Sequence, residues 1–379
     1  MVRPQERLVH VSPIRIVSIE GSPLSTPLRD PFVIASGRID AIRAMLIHAT
    51  IETDTGLRAT GLGEAAALPP VTREDQPDLL RALADEAPAL AGTRIADHAD
   101  LQAHLEAALV RSVVVRAGVE AAILDAWARA AGVPLAQALA GAESGPLPAA
   151  PLMTDITLSI SSPEQMRSRA LAHHAAGFSC FKVKVGLDWR ADRDALLAVA
   201  GAVPGARFRL DANGGFSARD ALVLLDAILQ AGVVVECYEQ PCARGDLPGL
   251  AEVKARTSVP VVADESFRDE ADLAALIEQQ AADAVNLKLV KLGGPLRALA
   301  LGRRARAAGL RLMAGAMVES RVGLLAMAHV VTALGGVDWV DLDTAFLLAD
   351  DPFDGGWRTS GPRIELTGQP GLDVRWRER

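Results

Sequence analysis

Short apolar segments alternate with amphipathic segments of helical spacing from about residue 150 onward. The segments CFKVKV, VPVVADE and AVNLKL are rich in hydrophobic residues along their whole length, a pattern typical of parallel strands that are covered on both faces. Each is followed by a segment of helical periodicity, such as DRDALLAVAGAV after CFKVKV. Eight such strands with seven helices between them predict a closed α/β barrel. An open, doubly wound sheet is the alternative, and the regularity of the eight units favours the barrel.

The first 140 residues show a different pattern. PIRIVSIEG, AMLIHATIET and GLRATGLGEA are predicted strands, with a loop, SPLSTPLRDPFVIASGR, between the first two. Helical periodicity then dominates as far as PLAQALAG, which ends at Gly141. We therefore predict an α+β domain over residues 1–140, the barrel over residues 141–346, and a C-terminal segment, residues 347–379, that returns to the first domain.

Composition narrows the classes of partner. Half of the 379 residues are hydrophobic, so the chain can bury a large core, and its net charge of −8 argues against nucleic acid or an anionic membrane surface. The sequence shows neither an apolar run of about 18 residues nor a signal-peptide pattern. Its three cysteines form no CxxC motif. We expect a cytoplasmic protein with reduced thiols and a small-molecule substrate, without a nucleic-acid or membrane partner.

Charged residues recur at the ends of the predicted strands, about 25 residues apart over the first five, close to the length of one strand and one helix. They are Lys184, Asp211, Glu239, Asp264, Lys288 and Asp341. The active sites of parallel barrels lie at the C-terminal ends of the strands. We therefore expect these six side chains to share one site.

Three of the six are carboxylates from consecutive strands. Asp211, Glu239 and Asp264 would repel one another unless a cation lay between them. Oxygen ligands without a nearby Cys or His favour Mg²⁺ over zinc, so we predict one Mg²⁺ per subunit. Pairing with Arg or Lys, or helix capping, is the alternative, and three such acids in succession make it the weaker one.

The two strand-end lysines lie on opposite sides of the predicted barrel, Lys184 on the second strand and Lys288 on the sixth. Burial and a nearby cation both lower a lysine pKa toward the range of a general base. A role in charge balance alone is the alternative. Lys182 faces the same side of its strand as Lys184, so we expect it to lower the pKa of Lys184 and to contact a substrate carboxylate. We assign no role to Lys291.

This combination suits one reaction. A metal binds a substrate carboxylate, and one lysine removes the proton from the adjacent carbon. The metal stabilises the enolate that forms, and the other lysine returns a proton to the opposite face, which inverts the carbon.

The motifs at these positions resemble those of the muconate lactonizing enzyme subgroup of the enolase superfamily. They are KVK at 182–184, DAN at 211–213, EQP at 239–241, ADES at 263–266 and NLKLVKLGG at 286–294. The resemblance implies a (β/α)7β modified TIM barrel with an N-terminal α+β capping domain that the C-terminal segment completes. It also implies that Asp211, Glu239 and Asp264 bind Mg²⁺ and that Lys184 and Lys288 form an acid/base pair. A homo-oligomer is left open.

Two further stretches resemble the dipeptide epimerases within that subgroup. Thr157 in TDITLSI matches a position that contacts substrate, and Asp341 and Asp343 lie on the eighth predicted strand. Residues i and i+2 point to one face of a strand, so the two carboxylates would bind a free α-ammonium group. Capping of this strand end by a neighbouring Arg is the alternative for the pair. We expect epimerisation of a dipeptide at the carbon next to its carboxylate.

Other activities on the same site remain alternatives, namely a muconate-type cycloisomerase, o-succinylbenzoate synthase or N-acylamino-acid racemase. A non-enzymatic scaffold is disfavoured because every expected metal ligand and lysine is present. A dinucleotide-dependent oxidoreductase is suggested only by Gly61-Leu62-Gly63 with Ala66, in a fragment that does not open a helix.

The preferred dipeptide is not predicted. The L-Ala-D/L-Glu epimerases resemble this chain at PFVIASGR but typically place an Arg there; here Ser36 takes that position, and Arg38 follows. We expect specificity to lie in mobile loops near residues 24–38 and 62–75, and around Val318.

Overall fold

A computed structural model describes residues 12–35, 37–69, 71–141, 147 and 150–377. Eight parallel strands form one sheet in sequential order, and a parallel bridge from Thr154 to Val340 joins its two ends. The predicted barrel is thereby confirmed. Barrel strands 1 to 8 are Ile156–Leu158, Cys180–Lys184, Arg207–Asp211, Val234–Glu239, Val261–Ala263, Ala284–Leu287, Arg311–Ala314 and Trp339–Val340.

Helices connect these strands and cover the barrel. Most begin at a Ser or Asp whose side chain accepts from a backbone N–H of the first turn, as Ser162 does from Gln165 and Asp269 does from Asp272. Their apolar faces pack on the strands. The helices are Pro163–Ala175, Trp189–Ala202, Ala218–Gln230, Leu247–Arg256, Glu270–Glu278, Leu289–Leu292, Pro295–Ala307, Arg321–Leu334 and Thr344–Leu347.

An α+β capping domain precedes the barrel. Its sheet contains Ile14–Ile34, Gly37–Thr53, Arg58–Ala67 and Arg94–Ile95. Its helices are Gln76–Glu86, His98–Ala108, Val113–Ala131 and Leu135–Ala140, with a 3-10 turn at Ala87–Leu90. The C-terminal segment forms strands Phe353–Gly355, Trp357–Ser360, Arg363–Leu366 and Val374–Trp376, and Arg363–Leu366 pairs with Leu152–Met153. Backbone N–H groups of this segment reach the capping domain, where Leu372 donates to Asp125 at 2.6 Å.

The prediction of a loop between the first two strands is wrong. Strand Ile14–Ile34 pairs with Gly37–Thr53 through most of the stretch predicted to be a loop, interrupted only by an irregularity between Pro27 and Phe32. Its burial alternates, with Leu24 and Leu28 inward and prolines outward. Beyond the bridges at its first two residues and an isolated bridge from Leu28 to Leu348, this strand is an edge, where a proline needs no ladder donor. The segment that we expected to be a mobile loop is therefore a long β-hairpin.

The Gly61-Leu62-Gly63 fragment lies within a strand of the capping sheet and opens no helix. A Cβ at Gly61 would stand 2.2 Å from Ala126 N, and one at Gly63 would stand 2.0 Å from Gly118 O. These glycines therefore allow close contact with helix Val113–Ala131, and no dinucleotide fingerprint is present.

Two buried carboxylates attach the capping domain to the barrel. Glu64 accepts hydrogen bonds from Ser320 N and Gly323 N, both at 3.0 Å, at the start of helix Arg321–Leu334. Glu120 accepts from Leu296 N at 2.7 Å, at the start of helix Pro295–Ala307. A carboxylate is stabilised at a helix N-terminus, so these contacts fix the capping domain over the barrel mouth. Among the described residues, no helix has the length and apolarity required to cross a membrane.

Candidate active site

Each of the six predicted charged residues is either the last residue of a barrel strand or the residue that follows it. Lys184, Asp211 and Glu239 end barrel strands 2, 3 and 4, while Asp264 and Lys288 directly follow strands 5 and 6. Asp341 directly follows strand 8. All six are buried.

Lys182 connects three carboxylates at the floor of the site. Its Nζ lies 2.6 Å from Glu239 Oε2, 2.7 Å from Asp341 Oδ2 and 3.2 Å from Asp211 Oδ2. Lys184 Nζ lies 2.6 Å from the same Asp211 oxygen. Both lysines therefore face the barrel interior, as strand alternation predicts.

Lys288 approaches from the opposite side of the barrel. Its Nζ lies 2.8 Å from Asp264 Oδ2 and 4.0 Å from Glu239 Oε1, and Asn286 Nδ2 donates to that glutamate oxygen at 2.7 Å. Lys291, to which the sequence analysis gave no role, lies 2.5 Å from Asp264 Oδ1 and also donates to two backbone carbonyls. The two carboxylate oxygens of Asp264 are thus paired with different lysines.

Two of the three predicted metal ligands are strongly acidic. Burial opposes their ionisation, but Lys184 and Lys182 hold the pKa of Asp211 at about 2, and Lys288 holds that of Asp264 well below its usual range. Burial and the neighbouring Asp211 carboxylate raise the pKa of Glu239. A set of oxygen-only donors that includes two strongly acidic carboxylates suits a hard cation.

The pKa of Lys288 is raised, whereas we expected burial and a nearby cation to lower it. Burial alone would lower it, but the Asp264 and Glu239 carboxylates raise it above its ordinary value. The reason is that these carboxylates contact the ammonium group directly. A divalent cation held by the same carboxylates would act in the opposite sense, because like charge disfavours a protonated lysine.

A second group of carboxylates lies beside barrel strand 8. Asp155, Asp341 and Asp343 each place an oxygen within 4.8 Å of the others, and this is the one group of three with such spacing that the described residues contain. Thr157 N donates to Asp343 Oδ2 at 2.5 Å. Arg209 pairs with Asp155 at 2.9 Å and also donates to Val340 O at 2.8 Å, so an arginine does cap this strand end, although it pairs with neither Asp341 nor Asp343.

This second group lacks one positive charge. Lys182 pairs with Asp341 and Arg209 with Asp155, whereas within the described part of the chain Asp343 has no cationic partner. Burial and the neighbouring Asp341 raise the pKa of Asp343 to about 7. A buried carboxylate without a countercharge is costly, so the arrangement suits an incoming cation.

A pocket that is open to solvent lies over these groups. Seven of the nine predicted site residues line it, and the other two, Asp211 and Glu239, lie directly beneath it on Lys182. The seven are Thr157, Lys182, Lys184, Asp264, Lys288, Asp341 and Asp343. The structure thus brings every predicted site residue together.

Four residues of the site were missed. Besides Lys291, these are Asp155 beneath the Asp341 and Asp343 pair, and Asn213 and Glu265 in the pocket wall. The signal was present for Asn213 and Glu265, because each lies within two residues of a predicted metal ligand. Asp155 precedes its strand, where sequence gives no reason to expect a site residue.

The donor chemistry of the residues present suits a magnesium ion, although the oxygens of Asp211, Glu239 and Asp264 do not all lie within 4.8 Å of one another. Burial and the neighbouring Asp264 and Asp211 carboxylates raise the pKa of Glu265 to about 7. Glu265 Oε2 and Asn213 Oδ1 are buried atoms without a hydrogen-bond partner among the described residues. Buried acceptors of this kind call for a donor or a cation. With Asp211, Glu239 and Asp264 they form an all-oxygen set next to the pocket.

Ser36 lies outside the described residues. The side chain of Arg38 is 61% exposed and pairs with Asp40 at 3.0 Å. It does not line the pocket.

Comparison with known proteins agrees with this architecture. A family model described as "Mandelate racemase / muconate lactonizing enzyme, N-terminal domain" matches residues 19–140, and one described as "Enolase C-terminal domain-like" matches residues 165–379. The chain is 32% identical over 367 residues to the L-Ala-D/L-Glu epimerase of Bacillus subtilis, a match that covers 95% of this chain and 97% of the relative. It is 34% identical over 357 residues to the hydrophobic dipeptide epimerase of Citrifermentans bemidjiense, covering 93% and 95%.

A solved structure shows the same fold. The dipeptide epimerase of Enterococcus faecalis, complexed with Mg and the dipeptide L-Leu-L-Tyr, superposes with a TM-score of 0.86 at 29% identity. The match covers 95% of this chain and 99% of that one.

Proposed function

Because the chain belongs to the mandelate racemase/muconate lactonizing enzyme family of the enolase superfamily, we propose that it is an isomerase that epimerises a dipeptide. The observation that carries this conclusion is one pocket that joins two opposed lysines to a carboxylate group short of one positive charge. The lysines suit proton transfer at a carbon between them, and the carboxylates suit a free ammonium group. N-acylated amino acids and muconates have no ammonium group to place there.

The cofactor is Mg²⁺, as in the neighbouring structure that holds Mg and a dipeptide. Asp211, Glu239 and Asp264 would hold it. When bound, the ion stabilises negative charge that develops on the substrate carboxylate. Lys288 would favour its neutral form when these carboxylates bind the ion, because like charge disfavours a protonated lysine.

The remaining steps belong to the side chains. Lys184 and Lys288, four strands apart in an eight-stranded barrel, reach opposite faces of the carbon next to the carboxylate. One removes the proton and the other returns one, which inverts the carbon. Asp341 and Asp343 would bind the α-ammonium group, and Thr157 N holds Asp343 in place at 2.5 Å. Lys182 bridges the two ends of the site through Asp341 and Glu239.

Incubation of L,L-dipeptides in D₂O with Mg²⁺ tests this function. We expect deuterium at the α-carbon of the C-terminal residue, with formation of the L,D-diastereomer, and loss of both after chelation of the metal. N-acylated amino acids serve as the control without an ammonium group, and we expect them to react poorly. Absence of α-deuteration across a broad dipeptide panel would count against epimerisation.

The cellular setting is also part of the proposal. Cys180, Cys237 and Cys242 are free and buried, which suits a reducing compartment such as the cytoplasm. The domain limits at residues 140 and 346 and a homo-oligomeric state are proposed with it, and limited proteolysis and light scattering would test them.

A further inference from the structure

Apart from Thr157, Asn213 and Thr344, the uncharged residues that line the substrate pocket are apolar. The charged lining residues are the lysines and carboxylates already assigned to proton transfer, metal and ammonium, together with Glu265 beside the metal ligands. The rest of the wall comes mainly from the β-hairpin end, the segment after strand Arg58–Ala67 and the turn after barrel strand 7. These apolar residues are Phe32, Ile34, Leu68, Val71, Ala316, Met317 and Val318.

The charged groups orient a dipeptide in this pocket. If its ammonium group meets Asp341 and Asp343, its N-terminal residue lies next to the turn that carries Met317 and Val318. This turn is fixed to the same strand end, because Thr344 Oγ1 donates to Glu319 O at 2.9 Å. The N-terminal side chain therefore faces an apolar wall.

The side chain of the epimerised residue meets the other wall. Its α-carbon must lie between Lys184 and Lys288, and Lys184 Nζ is 5.7 Å from the centre of the Phe32 ring. Phe32 and Ile34 are both buried. A side chain that leaves this carbon toward the pocket mouth therefore contacts the hairpin end.

The arginines nearest the pocket lie outside it. Arg29 and Arg169 line an adjoining pocket that shares Phe32 and Thr157 with the substrate pocket. Both are engaged, with Arg29 Nε 2.7 Å from Leu348 O and Arg169 Nη1 3.1 Å from Ser159 Oγ. Another pocket shares Val71, Asp264, Glu265 and Met317 with the substrate pocket, and six arginines line it: Arg73, Arg111, Arg116, Arg244, Arg268 and Arg297. Among the described residues, no arginine lines the substrate pocket itself.

On these grounds we propose that the substrate is a dipeptide with apolar side chains at both positions, and that glutamate is disfavoured at the epimerised position. The inference rests on the proposed epimerase function and deepens it. A glutamate side chain would bury a carboxylate against Phe32 and Ile34 without a countercharge, which is costly. An apolar side chain gains from the same contacts.

A panel of L-Ala-L-Xaa dipeptides in D₂O with Mg²⁺ tests the inference, with Leu, Met, Gln and Glu as Xaa. Gln matches Glu in shape without its charge, so it separates charge from size. We expect kcat/KM for Leu and Met to exceed that for Glu by more than about 10-fold, with Gln between them. A smaller ratio, or a preference for Glu, would overturn the inference while leaving the epimerase function intact. If no member gains deuterium, the epimerase function itself fails, and the inference with it.

Arginine substitutions at two wall positions test which wall sets the preference. Ile34→Arg supplies the missing countercharge, and Ile34→Met is its uncharged control. We expect the Leu-to-Glu ratio of kcat/KM to fall at least about 10-fold in Ile34→Arg and to persist in Ile34→Met. Val71 is half-buried, so Val71→Arg tests the same idea at a site that tolerates a longer side chain. An unchanged ratio in the folded Arg variants would contradict the assignment of this wall.

Discussion

Replacement of Asp343 by Asn should stabilise the ligand-free protein and weaken its binding of a dipeptide substrate. The pKa of this carboxyl is raised from its ordinary value of 3.8 to about 7, first by burial and then by Asp341. One pKa unit corresponds to about 1.4 kcal/mol, so ionised Asp343 at pH 8 costs on the order of 4 kcal/mol relative to the unfolded chain. Asn removes this cost and keeps an oxygen that can accept from Thr157 N.

The sign of the pH dependence follows from the raised pKa. Between pH 3.8 and about 7 the folded protein holds a proton on Asp343 that the unfolded chain has lost. The contribution of Asp343 to stability therefore falls as pH rises through this window and is fully unfavourable above it. Denaturant titrations of wild type and Asp343→Asn at pH 5 and pH 8 measure this difference. We expect the stability advantage of the variant to grow from pH 5 to pH 8 by a few kcal/mol, within an order-of-magnitude estimate.

Activity should change in the opposite direction. An ammonium group next to two carboxylates loses one of them in Asp343→Asn, and at an effective dielectric constant of about 20 one such pair is worth up to about 4 kcal/mol at 4 Å. We expect KM for a dipeptide to rise at least about 100-fold, with a smaller change in kcat. A variant that is no more stable at pH 8, with an unchanged KM, would refute both the charge deficit and the ammonium-binding role.

Two further predictions concern the metal ligand and the capping domain. Lys291→Met should weaken Mg²⁺ binding measured by calorimetry, because Asp264 Oδ1 loses the lysine that holds it at 2.5 Å, and we expect this loss to exceed the gain from removing a positive charge near the ion. Lys291→Arg, which keeps the charge, should retain more of the affinity. Equal or stronger binding in Lys291→Met would show that the contact does not position Asp264. Gly63→Ala should destabilise the fold by about 2 kcal/mol or more in a denaturant titration, because its Cβ would stand 2.0 Å from Gly118 O. Gly201→Ala is the control and should be neutral, because its Cβ meets no atom within 4 Å. Similar losses of stability in the two variants would contradict the close strand–helix contact.

The barrel and the charged part of the site were predictable because both depend on short-range pattern. Parallel strands buried on both faces have a distinctive composition, and a charge at the end of such a strand, as in Asp211 or Lys288, has few structural explanations. Strand order then follows from sequence order, and this brings residues about 100 positions apart, such as Lys184 and Lys288, to opposite sides of one pocket.

The features that were missed depend on contacts that no local pattern records. Residues 22–34 carry several prolines and lack a continuous apolar run, so they read as a loop, although prolines are compatible with an edge strand whose outward face is free. Asp155 has its role only because Val340 and Asp341 return beside it at the closure of the barrel. Lys291 lies one helical turn after Lys288, and only the position of Asp264 shows why it is buried.

The most direct test of the two-base mechanism is stereospecific α-proton exchange by the single lysine variants. Lys184→Ala and Lys288→Ala should each abolish epimerisation, because one face of the carbon loses its proton donor or acceptor. Each variant should still exchange the α-proton of one diastereomer in D₂O, L,L for one lysine variant and L,D for the other, without inversion. Full epimerisation by either variant, or exchange of the same diastereomer by both, would contradict the assignment of the two lysines to opposite faces.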